Sequence, residues 1–261
     1  MELSTNTPVS ISTIPGIPEV ESGDDLAQII LDSLDRAQIH LEEGDILIVA
    51  QKVVSKAEGR LVALDTVTPS KEALALAQQV NKDPRKLEII LQESNRVVRA
   101  VSRGEDKEGI VITEHNLGFV CANAAVDESN CAQEDTLILL PVDPDLSARK
   151  LRDRLSAAFG VRVGVVITDT FGRPWRMGLV NVAIGLAGVA AKVDLVGEKD
   201  AFGRELLVTS PALADELAAA SGLLMTKDGM KPAILFKGVE WVEQQSSARD
   251  LVRPPHEDLF R

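Results

Sequence analysis

The sequence predicts an α+β fold, and three features point to it. Strand-like and helix-like segments alternate irregularly, without a steady βαβ period. Mixed sheets with packed helices are therefore the first choice, and a parallel α/β sheet the second. Hydrophobic residues make up 45% and charged residues 26% of the 261-residue chain, a globular balance that excludes wholesale disorder. The chain is long enough for one large domain or two modest ones sharing an interface, and no internal repeat or low-complexity linker divides it.

Taken in order, Gly23 to Leu34 reads as a helix, with Asp24 and Asp25 in its first turn and Leu26, Ile29, Ile30 and Leu34 at helical spacing. Asp45 to Lys56 (DILIVAQKVVSK) follows a Gly-Asp turn and reads as a buried strand. Helices are expected over Lys71 to Val80 and Pro84 to Glu93, the second introduced by Asp83 and Pro84. Gly109 to Thr113 and Gly118 to Asn123 form a pair of short strands around His115-Asn116. Ser147 can cap a helix to Phe159 that Gly160 closes. Val161 to Thr168 is the clearest buried strand, with Asp169 where it ends. A Gly-rich apolar region follows, then a helix over Ala212 to Leu224 and a strand over Ala233 to Lys237. The tail RPPHEDLFR reads as an extended terminus.

Composition excludes several functions. The formal charge of -12 argues against a nucleic-acid backbone as partner, and 3% aromatics without Tyr argue against base-stacking platforms. An anionic small ligand then needs metals or a few placed cations. Cys121 and Cys131 fit reduced thiols better than a disulfide scaffold or zinc site. No signal peptide is evident, and the apolar stretch Leu179 to Val193, broken by Gly185 and Gly188, is too short to span a bilayer. A soluble, cytoplasmic protein is expected. The chain contains no Walker motif, no G-x-G-x-x-G after a strand and no G-x-S-x-G. His40, His115 and His256 are scattered and take no role.

Two segments can carry chemistry. In ITDTFGRPWR, Asp169 and Thr170 offer hard oxygens suited to Mg²⁺ or Mn²⁺, and Arg173 and Arg176 can clamp anionic oxygens. A tight turn with surface arginines has the same composition. In NAAVDESN, Asp127 offers a second carboxylate, although for this segment alone a solvated loop with Asx turns is the favoured reading. Lys52 and Lys56 lie on one side of the expected Asp45 strand, placed to meet a phosphate or to form a solvated edge. Ile14-Pro15-Gly16-Ile17-Pro18 is a rigid turn whose amides can meet a base or phosphate, although a plain turn is the favoured reading.

Together these segments carry more than each alone. PGIPEV, GDILIVAQKVVSKAEGR, CANAAVDESN, LPVDPD, GVVITDTFGRPWRMGLVNVAIG and GRELLVT occur in the order and approximate spacing of the F420-0:L-glutamate ligases, and the chain resembles that family from about Ile14 to Gly238. The resemblance implies one ligase domain over residues 1–261 built of two intertwined α+β parts, usually homodimeric. It implies GTP-dependent joining of L-glutamate to coenzyme F420-0 through an acyl phosphate, with further γ-linked glutamates added. A divalent cation (Mg²⁺ or Mn²⁺) and a monovalent one such as K⁺ are implied as cofactors. Asp127 and Asp169 match the family's metal carboxylates, and Thr170 a further metal contact. Ile17, Pro18, Glu19, Val20, Gln51, Lys52, Lys56 and Asn130 match positions that meet the guanine nucleotide. Arg173 and Arg176 are proposed from chemistry alone.

One departure stands out. Archaeal members carry an acidic metal ligand after Leu-Leu-Met, where this chain reads Leu223-Leu224-Met225-Thr226-Lys227. Lys227 has only donors, so either the second metal is held differently, with Asp228, or Lys227 contacts a phosphate. The ending SSARDLVRPPHEDLFR resembles the junction of actinobacterial relatives to a nitroreductase-like domain, which this chain is expected to lack. The alternatives are a nucleotide- or deazaflavin-binding protein without ligase activity, and a metal-dependent ligase acting on a different carboxylate.

Overall fold

The structure is a computed structural model that describes residues 8–104, 106–129, 135–226 and 230–258. Its strands are β1 (Ser10–Thr13), β2 (Ile46–Ala50), β3 (Leu61–Ala63), β4 (Ser94–Val101), β5 (Ile110–His115), β6 (Val120–Ala122), β7 (Thr136–Ile138), β8 (Gly164–Arg173), β9 (Arg176–Ala187) and β10 (Ala233–Lys237). Its α-helices are α1 (Leu26–Arg36), α2 (Gln51–Ala57), α3 (Lys71–Val80), α4 (Pro84–Gln92), α5 (Pro144–Phe159) and α6 (Leu213–Ser221). The fold is α+β, as expected.

A five-stranded sheet in the order β1-β10-β2-β8-β9 forms the centre. Only β2 and β8 run parallel; the other neighbours are antiparallel. The runs Ile46-Leu47-Ile48-Val49 and Val165-Val166-Ile167 are wholly buried, because both faces of these inner strands are covered. Helices α5 and α6 pack on β8 and β9, and α1 packs on α5. Smaller cores lie under α3, α4 and the β4-β5-β6 sheet, and around Leu64, Leu137 and the β3–β7 pair.

Several sequence expectations change. The strand expected over Asp45 to Lys56 stops at Ala50, and α2 begins at Gln51. Gln51, Val54 and Ser55 are buried at i, i+3 and i+4, so one helical face goes inward and the β-preference of Val53-Val54 is overridden. Lys52 and Lys56 do share a side, through the i, i+4 spacing of a helix rather than strand alternation. The helix expected from Ser147 starts at Pro144, where Asp143 is the cap and its carboxylate accepts from the Leu146 N–H at 2.8 Å. Asp24 and Asp25 precede α1, and Asp25 caps it by accepting from the Gln28 N–H at 3.0 Å.

Asp169 does not end its strand. β8 continues to Arg173 and turns through Pro174-Trp175 into β9, so the Gly-rich apolar region is the return strand of a long hairpin. Besides β9, four strands went unread: β1, β3 and β7 are too short to show a period, and Arg96 and Arg99 interrupt the apolar pattern of β4.

A glycine fixes how closely α5 approaches the sheet. A Cβ built on Gly185 would lie 2.5 Å from the carbonyl carbon and oxygen of Pro144, closer than real contacts allow. Gly185→Ala must therefore push the start of α5 off β9. A loss of about 2–3 kcal/mol is expected, read as a lower urea midpoint at unchanged m.

Candidate functional site

The carboxyl ends of the parallel strands β2 and β8 lie side by side, with Ala50 opposite Thr168 as the last pair. Ligands commonly bind beyond such ends in α/β sheets. Here a cavity of ≈ 650 Å³ opens there, a volume suited to a nucleotide-sized ligand. The described part of its lining carries Lys52, Lys56 and Lys231 against Glu19, Asp127 and Asp169. In a chain of net charge -12, those three lysines give an anion a local foothold.

The PGIP segment reaches the cavity from the end of β1. Ile17 and Val20 are buried and anchor it in the core, while Pro18 and Glu19 stay exposed. The Gly16 carbonyl accepts from the Arg36 guanidinium at 3.0 Å, which ties the loop to α1. Glu19 then meets Lys56, a buried lysine whose ammonium pairs with the Glu19 carboxylate. A buried charge needs such a partner. Gln51 is buried too, and donates to the Ser55 hydroxyl at 2.7 Å and the Leu139 carbonyl at 3.1 Å. Its amide therefore fixes α2 against the chain that follows β7.

Asp127 is held at backbone and side chain alike. Its backbone forms a bridge with Ile138, N–H to O at 3.1 and 2.8 Å. Its Oδ1 accepts from the Ser129 N–H at 2.7 Å, and Lys52 Nζ lies 2.8 Å from its Oδ2. Burial pushes this carboxyl up, but the Lys52 ammonium and the Ser129 N–H outweigh it and hold it below the usual range. The approach to Asp127 is strained: Asn123, Ala124 and Ala125 all have φ near +53°, a left-handed turn costly for L-residues. Backbone strain of this kind concentrates at functional sites, and Ala125 lines the cavity.

On β8, Thr168, Asp169 and Thr170 line the cavity. The register shifts between Ile167 and Thr168, where β9 carries one extra residue, Ile184, a bulge of the kind that bends a strand pair beside a site. Thr170 sits opposite Asn181 and donates its hydroxyl proton to Asn181 Oδ1 at 2.8 Å, leaving the Thr170 oxygen lone pairs available. Ala183, just past the bulge, donates its N–H to Asp215 of α6 at 2.9 Å.

Among the sequence candidates, Ile17, Pro18, Glu19, Val20, Gln51, Lys52, Lys56, Asp127, Asp169 and Thr170 all line this cavity. Arg173 and Arg176 face each other at the hairpin tip, away from its lining, and Arg173 donates to the Met177 carbonyl at 3.3 Å. Asn130, Lys227, Asp228 and Cys131 lie outside the described residues. Sequence reasoning missed Asn181 and Lys231. The hairpin register would have given the first; nothing local marks the second.

A family model described as F420-0:Gamma-glutamyl ligase matches residues 16–238. The chain belongs to the F420-0:gamma-glutamyl ligase family. It is 48% identical over 256 residues to a protein of Methanopyrus kandleri named coenzyme F420:L-glutamate ligase, covering 96% of this chain and 97% of the relative. Proteins of the same name from Methanothermobacter thermautotrophicus (41% identical, 97% of this chain and 99% of the relative) and Archaeoglobus fulgidus (40%, 97% and 96%) are also similar.

The donor set suits the divalent ion that the ligase family implies. Among the described residues no three His, Cys, Asp or Glu side chains cluster as a metal cage. Mg²⁺ does not need one, since it keeps several waters and takes one or two carboxylates together with substrate phosphates. Two carboxylates and a hydroxyl with free lone pairs meet that requirement. Among the described residues no helix is long and apolar enough to cross a membrane.

Cys121 lies behind this wall without taking part in it. Burial and the negative charge of Asp169 push its thiol up to about 12. At pH 8 only about one thiol in 10⁴ is then ionised, so Cys121 should escape iodoacetamide in the folded ligase and react once it is unfolded. Peptide mass mapping of the alkylated protein reads this directly.

Proposed function

We propose that this chain is a GTP-dependent ligase that joins L-glutamate to coenzyme F420-0 and adds further γ-linked glutamates. The observation that carries the reading is that relatives covering 96–97% of the chain bear the name coenzyme F420:L-glutamate ligase. The cavity at the ends of β2 and β8 supports it chemically, because its lysines and carboxylates suit a nucleotide with its cation.

The reaction runs in two steps. A carboxylate oxygen of F420-0 attacks the γ-phosphorus of GTP, and the bond from that phosphorus to the GDP oxygen breaks. This leaves an acyl phosphate and GDP. The glutamate amine then attacks the acyl carbon, phosphate departs with the bonding pair, and the nitrogen gives up its proton. A carboxylate is a poor electrophile, which is why activation comes first.

Lys52 and Lys56 lie where they can meet nucleotide phosphates, and the PGIP turn where it can meet the base. Asp127, Asp169 and Thr170 would hold a divalent cation, whose positive charge offsets the repulsion between two anions. A monovalent cation such as K⁺ belongs to the same reading. The exposed Trp175, Met177 and Leu179 of the hairpin arm support a homodimer, since grouped exposed apolar side chains mark interaction surfaces.

Incubating the chain with F420-0, L-glutamate, GTP and Mn²⁺ should release GDP and add glutamyl masses by mass spectrometry. Folded protein that binds GTP but adds no glutamate with any metal or nucleotide would overturn the ligase reading.

A further inference from the structure

The Asp127 carboxylate has both oxygens engaged. Ser129 donates its backbone N–H to Oδ1, and the Lys52 ammonium sits 2.8 Å from Oδ2. Lys52 is itself anchored: it donates to the Ser129 hydroxyl and, at 3.3 Å, to the Ser129 carbonyl. The ammonium thus stands where a cation bound to Asp127 would stand, in a seat that the Asp127–Ser129 turn provides. A divalent ion and an ammonium cannot both occupy Oδ2 at close range without strong repulsion.

We infer that Lys52 is a built-in counter-ion for Asp127 that a divalent cation has to displace, so that the metal enters together with a phosphate able to receive the displaced ammonium. The inference rests on reading Asp127 as a metal ligand. Without an anion nearby, the incoming cation must evict Lys52 from its oxygen partners and leave it beside a second positive charge. With a nucleotide phosphate in the cavity, the evicted ammonium gains a new partner. Metal and nucleotide affinities are then coupled, each raising the other by the same factor. The Lys52 ammonium itself neutralises the Asp127 carboxylate.

The test measures Mn²⁺ binding by the electron paramagnetic resonance of free Mn²⁺, on the full chain, first alone and then with GDP. Wild type should bind Mn²⁺ weakly alone and at least about tenfold more tightly with GDP, corresponding to ~1.4 kcal/mol of coupling. Lys52→Met keeps the aliphatic stem and removes the charge. It should bind Mn²⁺ alone at least tenfold more tightly than wild type and lose most of the enhancement by GDP. Lys52→Arg keeps the charge and should bind Mn²⁺ alone as weakly as wild type, with circular dichroism confirming that both variants fold.

Unchanged Mn²⁺ affinity in folded Lys52→Met, with binding still lost in Asp127→Asn, would overturn the counter-ion role while leaving the metal reading intact. If neither wild type nor Lys52→Met binds Mn²⁺, with or without GDP, the metal reading fails and the inference falls with it.

Discussion

Asp169→Asn should lower the rate of glutamate addition by about 10²–10³-fold, a loss of roughly 3–4 kcal/mol of transition-state stabilisation. The substitution preserves shape and removes one negative charge from the cavity wall beside Thr170. If Asp169 holds a cation that offsets charge as phosphoryl transfer proceeds, kcat falls and extra Mn²⁺ recovers part of it. Asp169 lies outside the buried core, so the thermal midpoint should move little. A steady-state assay at several Mn²⁺ concentrations, beside a melting curve, separates these effects. An unchanged kcat in a stable variant would remove Asp169 from the site.

Arg60→Met should destabilise the fold by about 3–5 kcal/mol, with a fall in melting temperature of roughly 10 °C. Arg60 donates to Glu93 at 2.8 Å and to the Leu140 carbonyl at 2.8 Å, and His115 Nε2 lies 3.6 Å from the same Glu93 oxygen. The pair is mostly shielded, with side-chain exposures of 23% and 17%. It ties the chain leaving α2 to the junction of α4 and β4. Removing the guanidinium leaves a carboxylate in poor solvent contact, whereas removing both charges in Arg60→Met/Glu93→Leu should recover most of the loss.

The pair also sets a pH dependence. Burial pushes Glu93 up, but the His115 contact and the Arg60 guanidinium outweigh it, so the folded carboxyl titrates below its ordinary value of 4.5. Its stabilisation is complete above that value and fades as pH falls through the lower folded one. Wild type should therefore lose more stability than the double variant between about pH 5 and pH 3. Equal losses would mean that Glu93 contributes no such linkage.

Much of this was legible in the sequence because it is local. Helix α4 is marked by its own cap, where Asp83 accepts from Arg85 at 2.8 Å ahead of Pro84. The apolar runs of β2 and β8 could hardly be anything but inner strands. Asp127 and Asp169 stood out as carboxylates after apolar runs, and family resemblance singled them out further. Other features were misread because a tertiary partner decides them. The Val53-Val54 pair favours a strand until Leu139 and the core claim the Gln51 face of α2. The ITDTFGR stretch looks like a turn until Asn181 and its neighbours on β9 extend β8 to Arg173.

The sequence by itself determined the fold class, the order of most elements and the residues able to carry charge chemistry, since each depends on short-range periodicity, capping and residue type. Only the tertiary structure decided that residues from Ile17 to Lys231 face one cavity, and that Lys52 occupies the seat beside Asp127. Sequence periods report which face of an element is apolar. Which elements share a wall follows from the parallel register of β2 with β8 and from the bulge beside Thr168, both set by long-range pairing that no local pattern encodes.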